Sequence, residues 1–571
     1  MRRARAATII VMMMLGLPAL AARAQQVRGE IRDSATASAI PGAVASVFDA
    51  SGGALARTIA DQFGRYRLSV PASAVRLQIL RIGYRPRELR LPPLQGDTTL
   101  TIDVTMVPVP RFLAAVRVSD RAICPERESG GDALALWEQA RSGLLAMLVG
   151  RTERPAHLRN LVFERAIDPQ SGRILGQSVK RSSGTSHQSF IASRPAVEFA
   201  RFGYMQEDAS GRTYYAPDAD VLLDPSFMTA HCFRIQSDDR QHPAQIGLAF
   251  TPAPGRDTLV DVSGVVWLDR TSLDLKTLEY RYTGLEPAAS SARAGGMLQF
   301  QMMPNGVVFV ERWNILMPLL SRSVGPSRNA RVSTPRPDRR DVSVSGLHES
   351  GGELAAASWP DAQWKAKLGQ IRGRVIERGT KRPLAHVRVM LDGTSDVTVT
   401  DSAGSFVFDE VLPGPYALRA ADTVLAEFGV SQSKKITIEV SREKPVDLTL
   451  EWPTIRDVIR DFCRDERGPE GAVIFGRITT GDGWPVWDAL ISSAWQQDFR
   501  VAADGSLVFR QVARSDRTNP KGVFSLCNVR REEKLGIRAT YGPNDFKDTT
   551  LIVDKDDAFA ILRLTRAGVK P

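Results

Sequence analysis

Histidine is scarce in this chain: there are six in 571 residues, and none has a glutamate three positions on. A zinc site of the H-x-x-E type, which needs two imidazoles and a carboxylate around one open position, is therefore excluded. No G-x-S-x-G run occurs, which removes the nucleophile elbow of α/β-hydrolases. The stretch "GAVIFGR" (471–477) has the glycine spacing of a phosphate-binding loop but ends in Arg477, where lysine followed by a hydroxyl is required. Cysteine is limited to four residues, without a C-x-x-C pair or zinc-ribbon spacing. After residue 24 no apolar run reaches the roughly 20 residues that a spanning helix needs.

What is present is an ordinary folded composition, 24% charged and 43% hydrophobic, over a length that calls for several domains. Residues 1–24 differ from the rest. Arg2, Arg3 and Arg5 precede an apolar run from Ala6 to Leu20, and Ala22-Arg23-Ala24 closes it. That order is a secretory signal peptide, so an exported mature chain without a transmembrane segment is expected, periplasmic, associated with the outer membrane or secreted. The formal charge of +11 falls to +7 once the four arginines of residues 1–24 are removed. Six more arginines sit in 321–340, so the excess is read as part of a linker over 321–368, and no nucleic-acid face is expected. An even cysteine count in an exported chain favours disulfides. Of three possible connectivities, Cys463–Cys527 is preferred because both flank one proposed domain, leaving Cys124–Cys232.

One phrase occurs three times. "QVRGEIRD" (26–33), "QIRGRVIE" (370–377) and "VIFGRITT" (473–480) are alternating strands interrupted by Gly29, Gly373 and Gly476. A proline follows each, Pro41, Pro383 and Pro485, read as the opening of a second strand. Then come "DQFGRY", "DSAGSF" and "NPKGVF". There Asp61, Asp401 or Asn519 caps its own turn, Gly64, Gly404 or Gly522 takes the positive φ, and an aromatic anchors the next strand. Asparagine in the third copy argues for a structural turn rather than a cation site.

This pattern, with "LRIGYRP" (80–86) in the first copy, resembles the carboxypeptidase regulatory-like domain. The resemblance implies a prealbumin-like β-sandwich, and with it no catalytic domain, since the zinc motif of the carboxypeptidases is absent. The expected layout is a sandwich over 25–110, a central β-rich domain over 120–320, the linker, and further sandwiches over 369–451 and 463–567. The fold class is mainly β: three prealbumin- or Ig-like sandwiches plus a central antiparallel, half-barrel-like domain with one main helix. In the third copy, 495–517 reads as an extra hairpin with Asp504-Gly505 at its tip.

The central helix is expected over 132–149, with Leu134, Trp137, Leu144 and Leu148 on one face and Asp132 near the N-cap. Strand patterns follow at 173–181, 244–252, 259–269 and 275–285, then a hairpin at 295–318 turning on Pro304-Asn305-Gly306. Asp218, Asp220 and Asp224 are too interrupted by Val221, Leu222 and Leu223 for a calcium loop, and read as a turn entering a buried strand.

No catalytic, cofactor or metal residue is expected. The leading reading is a non-catalytic envelope protein whose sandwiches bind or space, with a glycan or an envelope protein as partner. Trp484, Trp487 and Trp495 are the residues that could stack on a sugar ring. A core role or an inter-domain contact is preferred for them, because Trp487 shares a strand with the apolar positions of "VWDALI". Two alternatives stand beside this. One is a component of TonB-dependent uptake, suggested by "RFLAAVRVSD" (111–120). The other is an enzyme within 120–320, with Asp218, Asp220, His231 and Glu279 as candidates.

Overall fold

A computed structural model describes residues 25–93, 99–109, 124, 131–185, 194–209, 211–237, 240–290, 294–323, 341–422, 428, 435–453, 462–463, 471–542 and 545–566. The segment 1–24 expected as a signal peptide and "RFLAAVRVSD" lie outside the described residues. The chain divides into two compact units, Met1–Val162 with Ser182–Lys365, and Phe163–Arg181 with Ala366–Pro571. Each unit carries one of the disulfides Cys124–Cys232 and Cys463–Cys527.

The three repeats fold into β-sandwiches of one topology. In each, the first strand (Gln25–Asp33, Gly369–Glu377, Ala472–Thr480) pairs antiparallel with the strand after the turn (Arg65–Val70, Ser405–Val411, Val523–Val529). It also pairs parallel with the last strand or strands of the copy. A four-stranded second sheet faces it in every copy. Asp61, Asp401 and Asn519 each accept two backbone N–H bonds at 2.8–3.1 Å, and Gly64, Gly404 and Gly522 sit at φ of 70–73°.

The strand glycine and the turn aromatic are two halves of one contact. Gly29, Gly373 and Gly476 lie directly across from Tyr66, Phe406 and Phe524. A Cβ on Gly373 or Gly476 would come within 2.2 or 2.0 Å of the facing ring. On Gly29 it would meet the Ile102 carbonyl, which accepts the Tyr66 hydroxyl.

Two repeat details differ from the sequence reading. Pro383 and Pro485 form isolated bridges to Ile376 and Thr479 ahead of the second strand, and in the first copy that place belongs to Ala39 rather than Pro41. The insertion of the third copy is not an extra hairpin. Leu490–Val501 and Leu507–Arg517 pair as Val44–Phe48 and Ala54–Ile59 do in the first copy, lengthened to 12 and 11 residues.

In the first unit, His231–Gln236, Gln245–Pro252, Asp261–Asp269, Leu275–Thr283, Gly295–Met302, Val308–Ser323 and Asp341–Trp359 form an antiparallel meander in chain order. The linker expected over 321–368 is thus corrected. Only 324–340 of it lies outside the described residues, and Asp341–Trp359 pairs with Val308–Ser323 from Ser323↔Asp341 to Arg312↔Glu353. The arginine-rich run over 321–340 carries the linker reading past residue 340, where Glu349 and Glu353 of this strand are buried beside Asn314 and Arg312.

One face of the meander packs on the helix Asp132–Glu153 through Leu136, Trp137, Ala140 and Leu144. Leu134 and Leu148 are only half buried, and Asp132 follows a Gly131 N-cap that has no side-chain bond. The helix is wrapped on a second side because Leu145, Ala146 and Val149 meet Val44, Ile59 and Leu80 of the first sandwich. The "LRIGYRP" segment fixes that contact: the Gly83 N–H donates to Gln139 at 2.8 Å, and Ile82 enters the central core.

Candidate functional site

The residues proposed for catalysis are not brought together. Asp218 caps the short helix Ala219–Leu223 through the Val221 N–H, and Asp224 caps Pro225–Ala230 through Ser226. These are two helix starts rather than a turn into a buried strand. Asp220 pairs with Arg151 at 3.3 Å. His231 is 1% exposed, with Nδ1 2.9 Å from the Phe227 carbonyl and Nε2 3.4 Å from Asp261. Glu279 stands on the opposite sheet face, where its Oε1 lies 3.1 Å from His242 Nε2. Among the described residues, no group of three or more His, Cys, Asp or Glu converges as a metal would require.

The tryptophans separate. Trp495 is 8% exposed, lies in the core of the third sandwich and has Arg514 over its ring. Trp484 and Trp487 are 73% and 70% exposed, so the core role preferred for them is corrected. They flank Pro485-Val486, and only Val486 turns inward. The other copies act as an internal comparison. Val486, Leu384 and Ile40 make the same bond to the first strand, to Ile478, Val375 and Ile31, which aligns the loops. Asp488, His386 and Gly42 then share a positive φ. At the places of Trp484 and Trp487 the first copy has Ser38 and Pro41, and the second Arg382 and Ala385. The sandwich therefore needs no aromatic at either position. The loop is held below by Thr518, whose hydroxyl donates to the Val486 carbonyl and accepts from the Ala489 N–H, as Thr400 does for Leu384 and Val387. This threonine precedes the Asn/Asp turn in "TNPKGVF" and "TDSAGSF", a signal the repeat reading passed over.

A second concavity lies on the central sheet, on the face turned away from the helix. It is a groove of about 560 Å³. Its floor follows the register: Arg234, Ala249, Val265, Glu279, Met297 and Asn314 form one row across six strands. Gly247 leaves room for the Trp267 ring, since a Cβ there would come within 2.8 Å of it. His242 stacks on that ring at 4.1 Å and closes this end of the groove. No sequence motif announced the groove, because its residues come from six strands spread over 80 positions.

Residues 26–107 and 370–451 each match the carboxypeptidase regulatory-like domain, so the chain carries two copies of that domain. Comparison with curated proteins gives no match. Among solved structures, the Streptococcal ancillary pilin is similar at 9% identity, over 39% of this chain and 78% of that one, with a TM-score of 0.17. BcpA, the major pilin subunit of Bacillus cereus, is 11% identical over 75% of this chain and 98% of its own, at 0.14. The shaft pilin SpaA from Lactobacillus rhamnosus GG is 9% identical over 35% and 99%, at 0.15. Scores of that size say nothing about what this chain binds.

Proposed function

We propose that this chain is a non-catalytic binding protein of the cell envelope, with its sandwiches as spacing modules and the third of them recognising a glycan. The observation that carries the reading is the pair Trp484 and Trp487, exposed on a loop where the other copies place no aromatic. Flat indole faces held at a sandwich rim suit the apolar faces of sugar rings, and loops on a rigid scaffold are where binding residues collect. The disulfides fit an oxidising compartment. No described helix is long and apolar enough to cross a membrane.

The test is pull-down of the full chain by isolated peptidoglycan and by lipopolysaccharide, with Trp484→Ala and Trp487→Ala variants. Binding to one of the two is expected, falling roughly tenfold in the double variant, as loss of two stacking contacts implies. The melting temperature should hold, because neither ring is packed. Binding to neither, or binding that survives the double substitution, would remove the glycan reading.

A further inference from the structure

One row of the central sheet's groove carries opposite charges at two separated positions. Arg234 lies on the edge strand His231–Gln236, and across the register come Ala249, Val265 and then Glu279. Arg234 is half buried and, among the described residues, has no hydrogen bond or ion pair. Glu279 turns its Oε1 to His242, and its Oε2 has no partner among the described residues. Three strand spacings of about 4.8 Å put about 14 Å between the two backbones. The charges are therefore held apart rather than spent on each other.

Between them the row is uncharged and low, with Ala249 buried and Val265 half buried. Thr251 and Ser263, each two residues from the row on the same two strands, bring hydroxyls to one side of it. His242 stands on the other side, stacked on Trp267. Arg281, two residues from Glu279, is exposed and makes no ion pair with it among the described residues. The aromatic residues of the lining, Phe250, Trp267 and Tyr280, are each no more than 3% exposed, so no ring face is open for a sugar to stack upon.

A cation and an anion joined by a short aliphatic and hydroxyl floor fit a zwitterion whose own charges lie a matching distance apart. The charged ends of an extended tripeptide are about 10 Å apart. One hydrogen bond of about 3 Å at each end brings that span to about 16 Å, within the play of two flexible side chains. A single amino acid is too short to reach both. The volume of about 560 Å³ is within the usual range for small-molecule sites, about 300–1,000 Å³.

We propose that this groove binds a short peptide, about three residues long, by its two termini. Arg234 takes the C-terminal carboxylate and Glu279 the N-terminal ammonium, with the peptide groups laid over Ala249 and Val265 beside the two hydroxyls. The site is separate from the tryptophan loop, so it stands or falls apart from the glycan reading.

Isothermal titration of the full chain tests this, with trialanine, its N-acetylated and C-amidated forms, and alanine itself. Trialanine is expected to bind at one site. Removing either terminal charge should weaken it at least about tenfold, the loss of one charge-assisted contact. Alanine should give no saturable signal. Arg234→Gln should bring trialanine down to the level of its amide yet keep the discrimination against the acetylated form, and Glu279→Gln should do the reverse. Glutamine keeps an oxygen for His242 and Arg234 supports no neighbour, so melting temperatures should match the parent. No saturable binding of trialanine, equal binding of a capped form or of alanine, or discrimination that survives both substitutions would each overturn the proposal.

Discussion

Replacing Asp261 with asparagine is expected to cost about 3–5 kcal/mol of stability, the loss typical when one member of a buried ion pair is removed. Asp261 is fully buried, with the Arg256 Nε at 2.5 Å from one carboxylate oxygen and the Val262 N–H and His231 at the other. Arg256 also donates to the Phe199 and Ala200 carbonyls near the end of the helix Ala196–Phe202, so it joins that helix to the sheet. Without the carboxylate, a guanidinium stays enclosed with no counter-charge. Replacing Arg256 by methionine in the same chain should recover part of the loss, since the uncompensated charge is then gone.

The same site sets an acid limit. Burial pushes the Asp261 carboxyl up, but the nearby His231, 3.4 Å away, and then the Arg256 guanidinium outweigh this and hold it below the usual value. A carboxyl depressed in the folded state contributes fully above its unfolded value, about 3.9, and the contribution is lost as pH falls through the folded value. Denaturant midpoints of parent and Asp261→Asn should therefore differ most at neutral pH and converge as pH drops below about 4. A gap that persists undiminished well below pH 4, where the carboxyl takes up its proton in the folded chain, would show that the carboxylate charge is not what stabilises the site.

Gly476→Ala is the second large effect, expected at about 3 kcal/mol, the upper part of what overpacking a filled core costs. The new methyl would sit 2.0 Å from the Phe524 ring, which is 2% exposed and packed in the core of the third sandwich. Gly373→Ala against Phe406 should cost nearly as much. Pairing Gly476→Ala with Phe524→Leu should cost less than the two changes summed, because both act on one contact. Strict additivity in urea unfolding would mean that glycine and ring are not coupled. This variant also probes the third repeat, which lies beyond the two matched segments, by whether it answers as the second does.

The repeats were legible because their determinants are local. A turn that needs an Asn or Asp cap, a glycine at positive φ and an aromatic two residues on fits within six positions, and it recurs with only side-chain changes. Where the reading failed, the deciding neighbour lay far along the chain. Trp487 looked like core because it is close to the apolar run of the second strand. Asp488 at φ 59° separates it from that strand, and its ring points to water. The strand Asp341–Trp359 reads as linker together with the arginine-rich run before it, and its two buried glutamates make sense only beside Asn314 and Arg312. The groove is the extreme case: alternation along each strand says which residues share a face, but register across six strands decides which of them meet. The sequence by itself determined three sandwiches, their turns and the main helix, since those follow from periodicity and backbone preference. Only the tertiary structure decided that Arg234, Glu279 and Asn314 share one row of a groove and that two tryptophans stand in solvent, since both depend on packing between segments with no local signature.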